Sequence, residues 1–147
     1  MSSQIEGIYT AIASFAPYYD TDVAVACRKP QELKDQKLDK GPVRMLFLPE
    51  DAPGAFVAMG TSLKNTWVII DRLFYKPTRL VHREDDNALM RDYIASYLDH
   101  IRSNRAPTAQ SHIAEWSFSV RTDMTYGSND TQWFGVDVTL TIEEFVT

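Results

Sequence analysis

The chain has 147 residues, 44% hydrophobic and 24% charged, with fifteen basic against twenty acidic side chains and a formal charge of −5. That length suffices to bury a sizeable core in one domain, 1–147, and the acidic balance argues against sequence-wide attraction to nucleic-acid phosphate. A single cysteine, Cys27, excludes an internal disulfide, and no apolar run approaches a membrane span.

The first element is a helix. Ile5, Ile8, Tyr9, Ile12 and Phe15 follow helical spacing behind a Ser3–Glu6 capping pair, and Pro17 ends it. The same stretch has no basic n-region and its apolar residues are spaced rather than contiguous. No signal peptide is expected, and the chain is expected to be made in a reducing cytosol. "DVAVA" (22–26) predicts a short strand, and "CRKPQELKDQKLDKGP" (27–42) a long polar loop. "VRMLFLP" (43–49) is apolar and strand-like, "EDAPGAF" (50–56) is turn chemistry, and "VAMGTSLKN" (57–65) leads into a third strand over 66–76, stopped by Lys76–Pro77.

The clearest helix is "REDDNALMRDYIASYLDHIRSNRAP" (83–107). Met90, Ile94, Tyr97, Leu98 and Ile101 form one stripe, Asp85 and Asp86 suit its positive end, and Arg102 and Arg105 its negative end. Two long strands follow. Trp116, Phe118 and Val120 alternate with Ser117, Ser119 and Arg121. Phe134, Val136, Val138, Leu140 and Ile142 alternate with Trp133, Gly135, Asp137, Thr139, Thr141 and Glu143. This is the pattern of a half-buried antiparallel hairpin with a loop at 124–131. The order predicts an α+β fold: a mostly antiparallel β-sheet with two main α-helices on one face and a C-terminal β-hairpin.

Catalytic patterns are not found. His82, His100 and His112 lack metal-ligand spacing, Cys27 has no neighbouring histidine, and the six glycines form no phosphate loop. The run Glu84–Asp85–Asp86 reads as a helix N-terminus rather than a cation site. No enzyme, metal or cofactor is expected. In 28–44, Arg28, Lys29, Lys34, Lys37, Lys40 and Arg44 outnumber Glu32, Asp35 and Asp39. That segment is either a solvated loop or an arm docking on an acidic surface or on passing DNA.

"TWVIIDRLFYKPT" (66–78) sets an acid beside a base within the most hydrophobic stretch. Strand alternation puts Asp71 with Trp67, Ile69, Leu73 and Tyr75, and Arg72 with Val68, Ile70 and Phe74. A buried charge without a partner is costly, so one of the pair is expected to be satisfied within the subunit and the other to lie near a subunit contact. On an edge strand, both would instead reach water.

The short capped helix, long charged loop, apolar strand ending "LFYKP", amphipathic helix "ALMRDYIASYLDHIRS" and terminal hairpin ending "FGVDVTLTIEE" together resemble the small neck proteins of long-tailed bacteriophages, and are similar to the tail-terminator family. The similarity spans nearly the whole chain and is one of architecture. It implies a structural virion subunit forming a homohexameric ring at the head-proximal end of the tail. Such a ring ends tail-tube growth and docks the head connector, while DNA passes through its lumen without sequence-specific binding. The implied partners are the chain itself, the tail-tube protein and the head-connector or stopper protein, with no membrane. Candidate contacts are Asp71, Arg72, Trp67 and Tyr75 on the strand, Arg28, Lys29, Lys34, Lys37 and Lys40 in the first loop, and Tyr126, Asn129 and Asp130 in the second. The length of 27–42 departs from the common pattern and leaves a head-completion (stopper) ring open. A different class, a small cytosolic enzyme or ligand-binding domain, requires convergent polar residues on the dry face of the sheet, where the last strand offers five apolar ones.

Overall fold

The computed structural model describes residues 5–19, 23–24, 27–28, 42–47, 55–59, 62–125 and 131–146, with backbone alone for 23–24, 27–28, 55–59, 62–63 and 146. In chain order these form α1 (Ile5–Ala13), β1 (Tyr18–Tyr19), β2 (Val23–Ala24), β3 (Cys27–Arg28), β4 (Val43–Phe47), β5 (Ala55–Met59), β6 (Ser62–Pro77), a 3-10 turn (Thr78–Leu80), α2 (Arg83–Ser103), β7 (Ser111–Met124) and β8 (Trp133–Val146). Ser3, Lys29, Lys34, Lys37, Lys40, Tyr126, Asn129 and Asp130 lie outside the described residues.

The fold is α+β, with a mostly antiparallel sheet, both helices on one face and a C-terminal hairpin. The sheet order is β3-β4-β6-β8-β7, with β5 also on β6. β6 is its spine. One edge pairs with β8 along nearly its whole length, while the other takes β4 at 70–74 and β5 at 62–66. The β3–β4 ladder is parallel; the other pairings are antiparallel. The turn chemistry at 50–56 conceals the start of β5, and the lead-in is strand as well. Met59 pairs with Ser62 across two residues, Gly60 and Thr61, so β6 begins four residues earlier than its apolar run.

The interior follows the periodicities. Ile8 and Ile12 of α1 and Met90, Tyr93, Tyr97 and Ile101 of α2 pack on Leu46, Ile69, Leu73, Ile113, Phe134, Val136, Val138, Leu140 and Ile142. Burying each such aliphatic side chain contributes about 1.5–3 kcal/mol. Ile94 and Leu98 of the expected stripe are only half-buried, and Tyr93 and Ser96 take their places inside. β1 docks on α2, where the Tyr18 N–H donates to Ser96 Oγ at 3.1 Å. A smaller cluster, Val43, Met45, Phe74, Met124 and Trp133, occupies the opposite face of the sheet at one end.

A bulge between Phe74 and Lys76 lets Tyr75 and Lys76 both serve the helix side. The Tyr75 ring meets Tyr19 and Phe134 edge to face, and Lys76 Nζ reaches Asp86 Oδ2 at 2.9 Å. Asp86 also accepts the His82 N–H at 2.6 Å, closing the start of α2. Burial alone would raise the pKa of this carboxyl, but the Lys76 and His82 hydrogen bonds outweigh it and hold the pKa below 3.8. A folded-state pKa below the unfolded one gives stability that is complete above the unfolded value and lost as pH falls through the folded one. Asp86→Asn is therefore expected to cost about 1 kcal/mol near neutral pH. In urea titrations that deficit should shrink below about pH 3.8, the ordinary value. α2 ends at Ser103, four residues short of Pro107, with Asn104 Nδ2 donating to His100 O at 2.9 Å.

Candidate assembly surface

The two charges in the middle of β6 part company. Asp71 points toward the helices and is fully buried, as is Arg44 of β4. Arg44 Nε donates to Asp71 Oδ1 at 2.9 Å and Nη2 to Oδ2 at 2.6 Å. The Tyr97 hydroxyl of α2 donates to the same carboxylate. Arg44 also donates to the Phe15 carbonyl at 2.6 Å, just beyond α1, and to the Ile12 carbonyl at 2.9 Å, which accepts the Phe15 N–H as well at 3.1 Å. One guanidinium thus ties β4, β6 and α1 together, while its carboxylate partner holds α2. Burial by itself weakens Arg44's hold on its proton, yet the adjacent Asp71 charge and hydrogen bond overcome this and raise its pKa. Burial first, and the Asp71 charge second, push the Tyr97 phenol well above its ordinary value. Both groups keep their protons, so the network is a buried strut rather than a proton-transfer site. Arg44 accordingly belongs to the core, not to a basic arm or solvated loop.

Both members of the pair are satisfied within the chain, Asp71 by Arg44 and Tyr97 and Arg72 by Asp137, whereas the sequence assigned one of them to a subunit contact. Arg72 faces the other way and is 22% exposed at its side chain. Its Nε donates to Asp137 Oδ1 at 2.6 Å and its Nη2 to Oδ2 at 3.0 Å, and its guanidinium lies over the rings of Phe47 and Phe74. Arg121 of β7 donates to the same Asp137 Oδ2 at 2.9 Å and to Asp123 Oδ1 at 3.0 Å. Those hydrogen bonds, to Asp123 first, raise the Arg121 pKa, and the Arg121 hydrogen bond lowers that of Asp123. Farther along this face, Glu143 takes Lys64 Nζ at 2.9 Å and His112 Nε2 at 3.2 Å, and the Lys64 hydrogen bond is the main cause of its lowered pKa. Between the two charged groups lie Val68 and Ile70, half-buried, beside Thr139 and Thr141. Neither helix covers them, since both pack on the opposite face.

Trp67 and Tyr75 are on the helix side and half-buried against the core. Trp67 Nε1 donates to Glu144 Oε1 at 3.3 Å, beside Asn65 Nδ2 at 2.8 Å. The dry face of the last strand is apolar from Phe134 to Ile142, but it continues into this fully buried Glu144. Sequence alternation places Asp137 on the wet face and gives no hint that it is 93% covered, at 7% exposure, between two arginines. Arg28 is described only as backbone, in a two-residue parallel ladder with β4.

No group of three or more His, Cys, Asp or Glu suited to a metal is present among the described residues. No described helix is long and apolar enough to cross a membrane. No protein-family model matches the chain, and no curated protein matches it.

Proposed function

We propose that the chain is a structural ring subunit of a long-tailed phage, placed at the head-proximal end of the tail. There it ends tail-tube growth and presents a surface to the head connector. The observation that carries this reading is the outer face of β6 and β8. Half-buried Val68 and Ile70 are not covered by α1 or α2, and lie between charge groups that are already neutralised within the chain, Arg72–Asp137–Arg121–Asp123 and Lys64–Glu143–His112. Charges pre-paired in this way lose less on being covered, and they fix register more than they add affinity. The architectural resemblance to tail terminators supplies the identity of the covering partner: a neighbouring copy within a ring of six.

Arg72→Ala tests the reading. A partly exposed ion pair contributes on the order of 1 kcal/mol or less to folding, so the variant is expected to remain a folded chain. Particles made with it should lack joined heads and tails. A normal yield of joined particles would remove this face from assembly.

A further inference from the structure

We propose that β7 is a self-complementary edge, and that two copies of the chain pair antiparallel along it about a two-fold axis at Phe118. β7 ends the sheet order, so one side of it has no strand beside it among the described residues. Its pairing with β8 is interrupted by bulges between Ile113 and Glu115 and between Arg121 and Met124, leaving a regular seven-residue run at 115–121. At the near end the edge is already occupied: the Ile113 N–H donates to the Arg105 carbonyl at 2.7 Å, and the Ile113 carbonyl accepts Arg105 Nε at 3.2 Å. Between the bulges Glu115, Ser117, Ser119 and Val120 are exposed, and Trp116 and Phe118 are half-covered. A regular strand edge with one side unpaired is a template for another strand.

The sequence of the run identifies the occupant as a second copy. Read against itself in antiparallel about Phe118, "EWSFSVR" sets Glu115 opposite Arg121, Trp116 opposite Val120, Ser117 opposite Ser119, and Phe118 opposite Phe118. Each pair falls on one face. The Trp116, Phe118 and Val120 side matches the β8 residues Leu140, Val138 and Val136, and the charged pair lies on the outer side. Other registers fail. A one-residue slip turns apolar side chains against polar ones. A two-residue slip puts Glu115 opposite Asp123 in one direction, or carries Arg121 onto the Ile113 edge already held by Arg105 in the other. Val120, 43% exposed, would be covered by the partner copy's Trp116. The contact is isologous and does not rest on the virion reading, because a ring closes through two different patches.

The test uses the full chain with its single cysteine replaced, Cys27→Ser, and carrying either Ser117→Cys or Ser119→Cys. Directly opposed antiparallel residues have Cα atoms about 4.5–5.5 Å apart, within disulfide reach. An oxidised mixture of the two variants is expected to give a covalent dimer, and each variant alone is not. Sedimentation equilibrium of the parent should show a reversible dimer, weakened roughly tenfold or more by Glu115→Arg, which faces arginine with arginine twice. A parent that stays monomeric, a Glu115→Arg variant that dimerises like it, or Ser117→Cys cross-linking to itself as readily as to Ser119→Cys overturns the proposal.

Discussion

Gly135→Ala is expected to cost about 4 kcal/mol or more, among the larger losses a single substitution produces. A Cβ at this position would stand 1.8 Å from the Leu73 carbonyl oxygen and 2.9 Å from both the Leu73 carbonyl carbon and Met124 Cε. Leu73 and Gly135 sit beside the β6 bulge, where Phe74 pairs with Gly135 and the register then shifts to Lys76 with Phe134. The methyl cannot rotate away, and the obstruction is backbone of the central strand. Relief requires β6 and β8 to separate, which also opens the cluster of Phe74, Met124 and Trp133. Gly7→Ala is the control. Its Cβ would come only to 3.4 Å from Thr108 Cγ2, so an exposed helical position should gain about 0.5–1 kcal/mol instead. Urea unfolding of both variants reads the contrast. A Gly135→Ala protein as stable as the parent would show that the two strands do not approach this closely.

Arg44→Met is expected to cost about 3–5 kcal/mol, because it strands the Asp71 carboxylate in the core and removes the Arg44 hydrogen bonds to the Ile12 and Phe15 carbonyls. Adding Asp71→Leu should restore much of that loss, since the penalty lies in the uncompensated charge rather than in the absence of an ion pair. Recovery should be incomplete, as the Phe15 carbonyl and the Tyr97 hydroxyl lose the Arg44 and Asp71 hydrogen bonds. Thermal and urea denaturation of the single and double variants measures both effects. Equal losses in the two would mean that Arg44 matters for packing alone.

The residues that repeat at regular intervals were readable before the fold. Alternation along 133–142 and the helical stripe around Met90, Tyr97 and Ile101 mark the buried faces because each element has one core to face. Alternation also separated Asp71 from Arg72 correctly. It did not find their partners, because Arg44 and Asp137 come from other strands, and their registers are set by the whole sheet. The charge count over 28–44 groups Arg44 with the basic residues of the preceding loop, although it also stands in the apolar stretch 43–49. Its place in β4, opposite Leu73 and one step from Asp71, is a tertiary fact. β5 stayed hidden because Pro53 and Gly54 stand just before it and read as turn, while its pairing with β6 outweighs the local composition. The Glu144 cluster left a faint trace: a second glutamate directly after Glu143, stepping onto the apolar face.

Electron microscopy of the purified chain, free and mixed with phage tails that lack a terminator ring, is the direct measurement of the proposed assembly. Six-fold rings at the head end of tails, with the outer face of β6 against a neighbouring copy, are the expected image. A chain that remains a monomer both in solution and when mixed with the tails would contradict it.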